Sequence, residues 1–241
     1  MTRLHAKDYR LIILFQIHPY LFRKGKTILN RKSIRAILAK YYEVPLVNFF
    51  DSLGFSPNGI TILGFVITAG AGILIACQYF LIGGLLMLGG GALDLIDGGL
   101  ARRKDKASKF GAFLDSVIDR FQEGVVLLAL LYYFSSSGCT LVETVRWDGF
   151  GFFSCRAGVI LAYITFMASV MVSYLRARAE GLGIKCDIGI MTRPERVAAI
   201  GIAICISEWI PETILVVLFL ITLLCFFTTI QRIAYSWRNL D

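Results

Sequence analysis

Apolar runs about as long as a bilayer is thick recur along this chain, and they leave few folds open to it. Runs starting near Gly59, Leu81, Phe110, Ser154, Pro194 and Thr213 are dominated by apolar residues, and about 20 such residues in a helix cross a hydrocarbon core. Hydrophobic residues make up 56% of the 241, charged residues only 17%, and mean hydropathy is +0.68. A soluble domain of this length would need polar faces that these runs do not supply. The expected fold is an all-α integral membrane protein, with six transmembrane helices preceded by an N-terminal interfacial amphipathic helix.

Boundaries follow from local signals. Residues 1–30 are basic around a modest apolar patch, and Arg31 to Leu53 sets apolar residues opposite cations at helical spacing, with Pro45 as a bend, as in a helix lying in a membrane surface. Ser56-Pro57 has the form of a helix cap followed by a first-turn proline. The expected spans are Gly59–Phe80, a second that begins with Leu81 to Leu93, carries Asp94 and Asp97 near its far end and finishes in the cationic turn from Arg102, then Phe110–Phe134, Ser154–Arg176, Pro194–Trp209 and Thr213–Tyr235. This divides the chain into a basic segment with its surface helix, residues 1–53, and a membrane domain, residues 54–241.

Charge orients the spans. The net charge of +8 is gathered at the ends of apolar runs and not on a soluble basic face, so membrane topology explains it and nucleic acid does not. Most Lys and Arg lie in the loop 102–109, the segment from Arg176 to Arg196, and the termini; the opposite connections hold Glu143, Arg146, Asp148, Glu208 and Glu212, with Arg156 just inside the fourth span. By the positive-inside rule both termini face the cytoplasm. No small-residue cleavage site follows Leu11–Phe15, so a cleaved signal peptide is not expected. Six cysteines, Cys77, Cys139, Cys155, Cys186, Cys205 and Cys225, show no CxxC spacing and read as small apolar fillers.

Four carboxylates break the apolar pattern. Asp94 and Asp97 are three residues apart and Asp115 and Asp119 four apart, so each pair shares one helical face. If the two faces meet, like charges repel in a partly desolvated place unless something positive sits between them. With oxygen ligands and no His or Cys nearby, a hard ion such as Mg²⁺ or Mn²⁺ suits the site better than zinc. Two such ions between acidic helices can clamp a phosphoryl group. All four aspartates fall on the cytoplasmic side of the expected topology.

The complete pattern is Asp94-x2-Asp97-Gly98-x2-Ala101-Arg102-x8-Gly111-x3-Asp115-x3-Asp119, and it resembles the signature of the CDP-alcohol phosphotransferase family at every specified position. The resemblance implies an enzyme in which an alcohol attacks the lipid-side phosphorus of a CDP-linked lipid and CMP leaves. It implies two divalent cations, Mg²⁺ or Mn²⁺, with Asp94, Asp97 and Asp115 as ligands, and Asp119 as the base that also touches a metal. Gly98 and Gly111 would let backbone approach the nucleotide or a neighbouring helix, and Arg102 would fork onto the diphosphate. Asn58 and Thr61, three apart at the start of the first span, match the position that contacts the cytosine end. Each has a plainer reading: helix packing for the glycines, an interface cation for Arg102, and a cap for Asn58 with a tolerated threonine at 61.

The second half of the chain bears on the acceptor. Val172-Ser-Tyr-Leu-Arg176, Arg193-Pro-Glu-Arg196 and Gln231-Arg232 resemble the phosphatidylinositol-phosphate synthase branch, in which Arg176, Arg196 and Arg232 match a basic pocket for inositol phosphate. The first of the three is usually lysine; Arg176 keeps the charge and changes the hydrogen-bond geometry. Taken singly, each Arg also reads as a positive-inside anchor. Glu180 is placed to pair with Arg176, and Glu195 to orient Arg196. The resemblance covers Pro57 to Arg232 and further implies a homodimer in the cell membrane of a prokaryote. The rival acceptors are glycerol phosphate, serine or another alcohol. A cation transporter, which also uses intramembrane acids, leaves Ala101-Arg102, Gly98 and Gly111 unexplained, and a purely structural role gives no return for burying four carboxylates.

Overall fold

The computed structural model describes residues 44–103, 108–136, 138–139 and 154–240, and within the first stretch leaves the side chains of 44, 95, 97–99 and 101–103 undescribed. Seven helices fill the described residues, with no strand among them: α1 Val44–Ser52, α2 Pro57–Ala76, α3 Phe80–Arg103, α4 Lys109–Ser135, α5 Cys155–Gly181, α6 Arg193–Ser207 and α7 Thr213–Leu240. Of the surface helix expected from Arg31, only α1 lies among them; residues 1–43 lie outside. α2 to α7 all belong to one compact unit.

Local chemistry starts the helices where expected. Ser56 accepts a hydrogen bond from Gly59 N at 3.1 Å with Pro57 in the first turn, Ser108 accepts from Gly111 N at 2.9 Å, and Ser154 from Ala157 N at 3.2 Å. The turn after α1 closes on Gly54, whose φ of +77° is cheap only for glycine, and Phe55 then stacks edge-on against Phe50. The first span ends earlier than its hydropathy suggests. α2 stops at Ala76, Gln78 takes φ +70°, and Phe80 opens α3, so the hairpin lies inside apolar sequence.

α2 packs on α3 and α4, α3 on α6, α4 on α5, and α5 and α6 on α7. Small residues let backbones approach: a Cβ on Gly90 would lie 3.0 Å from Gly64 O, and one on Gly84 2.9 Å from Cys205 N. A main core runs from Ala71 and Ile75 through Leu130 and Tyr133 to Ile204, Leu215 and Leu218; a smaller one of Val47, Ile60, Ile96 and Leu100 sits under α1.

α2, α5 and α7 are long and apolar enough to cross a membrane, and Phe80–Asp94 of α3 is a shorter apolar stretch. Large apolar side chains also cover the outside, among them Ile62, Val66 and Ile73 on α2 and Leu223, Phe226 and Ile230 on α7. Such a surface suits lipid. Cys186 and Cys225 are buried as expected of apolar fillers, whereas Cys139 and Cys155 correct that expectation by forming a disulfide between the segment after α4 and the first residue of α5.

Candidate active site

On α4, Asp115, Asp119, Gln122 and Glu123 follow one another at helical spacing and share a face. α3 brings Asp94 against that face, and α6 brings Arg193, its first residue. Arg193 Nη2 lies 2.8 Å from Asp94 Oδ2 and Arg193 Nη1 2.8 Å from Asp119 Oδ1, with side-chain exposures of 20%, 8% and 13% for Arg193, Asp94 and Asp119. The guanidinium also donates to Gln122 Oε1, while Gln122 Nε2 reaches Asp94 Oδ1 at 3.4 Å. Two acidic helices are thus tied by one cation. The floor is made by glycine: a Cβ on Gly64 would stand 3.4 Å from Asp94 Oδ1 and 3.4 Å from Gln122 Nε2.

One helical turn deeper, Arg196 is 1% exposed and grips Glu123 with both arms, Nε to Oε1 at 2.7 Å and Nη2 to Oε2 at 3.0 Å. A charge buried this far inside needs such a partner. Glu195 does not supply it; its carboxylate accepts from the Thr192 hydroxyl. Arg232, also buried, donates to Ile188 O at 2.9 Å and to Val172 O. Arg176 pairs with Glu180 at 2.8 Å as expected, and with Asp187 at 2.9 Å.

One cavity of about 340 Å³ is lined by Asp119, Arg120, Arg176, Arg193, Arg196 and Arg232 among others. Arg176, Arg196 and Arg232 therefore converge, from three different helices, beside an aspartate of the acidic motif. Asp115 lies within electrostatic reach of Asp94, Asp119 and Arg193 without lining the cavity. Asn58 and Thr61 lie at the start of α2 and do not line this cavity. There Thr61 is buried with its hydroxyl 3.2 Å from Pro57 O, and Asn58 Oδ1 lies 3.2 Å from where a Cβ on Gly111 would be. Gly111 thus permits the α2 and α4 starts to touch. The side chains of Asp97 and Arg102, and Gly98 with them, lie outside the described residues.

Sequence reasoning passed over four polar residues. Arg193 stood inside the Arg193-Pro-Glu-Arg196 segment without a role, although it is three residues from Arg196 and so shares its face. Gln122 and Glu123 continue the face of Asp115 and Asp119, and Arg120 lies 3.7 Å from Asp119. Among the described residues no three His, Cys, Asp or Glu side chains stand close enough to share a metal ion. The donor chemistry nevertheless fits a hard divalent cation. Asp94 Oδ2 and Asp119 Oδ1 are buried and, despite the guanidinium nearby, receive no well-directed hydrogen bond, which leaves carboxylate lone pairs of the kind Mg²⁺ and Mn²⁺ take.

Known proteins resemble this chain in sequence and in fold. Residues 55–237 match the family model described as CDP-alcohol phosphatidyltransferase. The chain is 36% identical to the archaetidylinositol phosphate synthase of Pyrococcus horikoshii over 191 residues, 79% of this chain and 88% of that protein. The enzyme of the same name from Methanothermobacter thermautotrophicus is 31% identical over 194 residues, 79% and 87% of the two chains. Crystal structures of the Mycobacterium tuberculosis phosphatidylinositol phosphate synthase are similar in fold. The one with CDP-DAG bound gives a TM-score of 0.69 at 25% identity, covering 81% of this chain and 94% of that one. The one in complex with manganese and citrate gives 0.67 at 26% identity, covering 80% and 88%.

Proposed function

The chain belongs to the CDP-alcohol phosphatidyltransferase family, and from that premise we propose that it transfers a phosphatidyl group, or its ether-lipid counterpart, from a CDP-linked lipid to inositol phosphate. Phosphatidylinositol phosphate forms and CMP is released. The observation that carries the choice of acceptor is the single cavity shared by Asp119 with Arg176, Arg196 and Arg232. A dianionic phosphate seated among three guanidinium groups would hold its inositol hydroxyls toward Asp119.

Phosphoryl transfer asks a protein mainly for positioning and charge neutralisation. Asp119 accepts the proton of the attacking hydroxyl as its oxygen bonds to the lipid-side phosphorus, and the bond from that phosphorus to the CMP oxygen breaks. Asp94, Asp97, Asp115 and Asp119 are the residues that would hold two divalent cations. Mg²⁺ or Mn²⁺, when bound, supplies charge neutralisation at the diphosphate and polarises its oxygens. Asn58 and Thr61 bind the cytosine end, and Gly98, Arg102 and Gly111 line the path of the nucleotide and diphosphate. Arg196 is held in place for its task by Glu123.

In the membrane, residues 54–241 form the catalytic domain with six crossings, α2 to α7. Residues 1–53 form a basic segment and surface helix, and two copies of the chain make a homodimer. The aspartates and both termini face the cytoplasm of a prokaryotic cell. Two features support this orientation: the cationic ends of the helices on the side of the site, and the Cys139–Cys155 disulfide between the far end of α4 and the start of α5, a bond suited to the oxidising side of a cell membrane.

The test is CMP release by purified protein with CDP-diacylglycerol and Mg²⁺ or Mn²⁺, offered inositol phosphate, free inositol, glycerol phosphate, serine or no acceptor. Release with inositol phosphate alone is expected. Release with glycerol phosphate or serine in its place would keep the transferase and remove the arginine pocket as an inositol-phosphate site.

A further inference from the structure

The catalytic reading uses Asp94 and Asp119 and leaves Arg193, the residue between them, without a task. We infer that Arg193 is a displaceable counter-cation: it holds the acidic faces of α3 and α4 together in the metal-free protein and competes with the divalent cation for the same carboxylate oxygens. This rests on the proposed role of the aspartates as metal ligands.

Three observations carry it. Arg193 is equidistant from the two carboxylates, with both ion pairs at 2.8 Å, so it neutralises the repulsion that would otherwise part the helices. It holds each carboxylate through a single nitrogen, Nη2 on Asp94 Oδ2 and Nη1 on Asp119 Oδ1, while its Nε is buried without a hydrogen-bond partner. Finally, Arg193 already lines the cavity of Arg176, Arg196 and Arg232, so a guanidinium driven off the carboxylates has a polar space to enter. By contrast Arg196, which lines the same cavity, is gripped at 2.7 and 3.0 Å by both carboxylate oxygens of Glu123 and so has a fully formed partner of its own. Linkage makes the competition reciprocal: an anion in the cavity that draws Arg193 toward itself must tighten metal binding by the factor that metal tightens anion binding.

The experiment is a titration of the purified full-length protein with Mn²⁺, free Mn²⁺ being followed by its electron paramagnetic resonance signal, with no lipid substrate present. Wild type, Arg193→Gln and Arg193→Lys are compared, each with and without sulfate as the cavity anion at constant ionic strength. Arg193→Gln is expected to bind Mn²⁺ about tenfold tighter than wild type, a coupling within the usual allosteric range, and Arg193→Lys to stay near wild type. Sulfate should tighten Mn²⁺ binding in wild type and leave Arg193→Gln largely unchanged. Equal or weaker Mn²⁺ binding by Arg193→Gln overturns the inference while leaving the metal reading in place. If that variant does not fold, failure of sulfate to tighten Mn²⁺ binding in wild type and in Arg193→Lys overturns it equally. Absence of Mn²⁺ binding by wild type removes the metal reading itself, and this inference with it.

Discussion

Substituting Glu123 by Gln separates what the buried Arg196–Glu123 pair does for the fold from what Arg196 does for the acceptor. The variant keeps the shape of the side chain and removes its charge, leaving a guanidinium that is 1% exposed without a counter-ion. Unit charges 4 Å apart attract by roughly 4 kcal/mol at an effective dielectric constant of 20, and removing one member of a buried pair typically costs about 3–5 kcal/mol. The two arms at 2.7 and 3.0 Å place this pair with the strong ones. Glu123→Gln should therefore lose about 3 kcal/mol of stability, read as unfolding in a denaturing-detergent titration. Replacing both members with apolar residues, Glu123→Leu with Arg196→Met, should recover most of that loss, because no charge is then left stranded. It should not recover use of the acceptor: KM for inositol phosphate stays raised while KM for the CDP-linked lipid stays near its wild-type value. A Glu123→Gln protein as stable as wild type, or a double variant no more stable than the single one, would refute the reasoning.

Asp119→Asn should abolish turnover and leave nucleotide binding largely intact, measured by CMP titration; retained turnover would remove Asp119 as the base. Gly189 has φ +135°, and a Cβ there would meet Thr228 Cγ2 at 2.6 Å with Arg232 Nε at 3.5 Å. Gly189→Ala should thus cost about 1–3 kcal/mol and raise the acceptor KM by shifting Arg232, checked by unfolding and steady-state kinetics together. Cys139→Ser should expose a free thiol at Cys155, seen as one extra alkylation by mass spectrometry without prior reduction, with turnover unchanged because the bridge lies at the opposite ends of α4 and α5 from the site.

Much of this architecture is written in local pattern. Ser56-Pro57, Ser108 and Ser154 announce helix starts through their own side chains, and the apolar runs mark the helices themselves. The acidic motif was readable because Asp115 and Asp119 repeat at helical spacing. Glu180 could be matched to Arg176 by the same rule. Less local facts were not. Which carboxylate serves Arg196 depends on how α4 and α6 pack, and Glu123, 73 residues away, outcompetes the neighbouring Glu195. The place of Arg193 between Asp94 and Asp119 depends on three helices at once. The Cys139–Cys155 bridge closes across a polar connection whose ends meet only when α4 and α5 pack. The end of α2 at Ala76 was hidden because its turn, Cys77-Gln78-Tyr79, holds neither glycine nor proline and only one strongly polar residue between two apolar runs.

The most direct measurement is mass spectrometry of the lipid formed when purified protein, CDP-diacylglycerol and Mg²⁺ or Mn²⁺ are given inositol phosphate carrying deuterium on its ring and ¹⁸O in its phosphate. Attack by an inositol hydroxyl predicts one lipid product that retains every deuterium and the labelled phosphate, formed in equal amount with CMP. A lipid product without the inositol ring, as when water attacks, or CMP released with no lipid that carries the label, would contradict the transfer reaction.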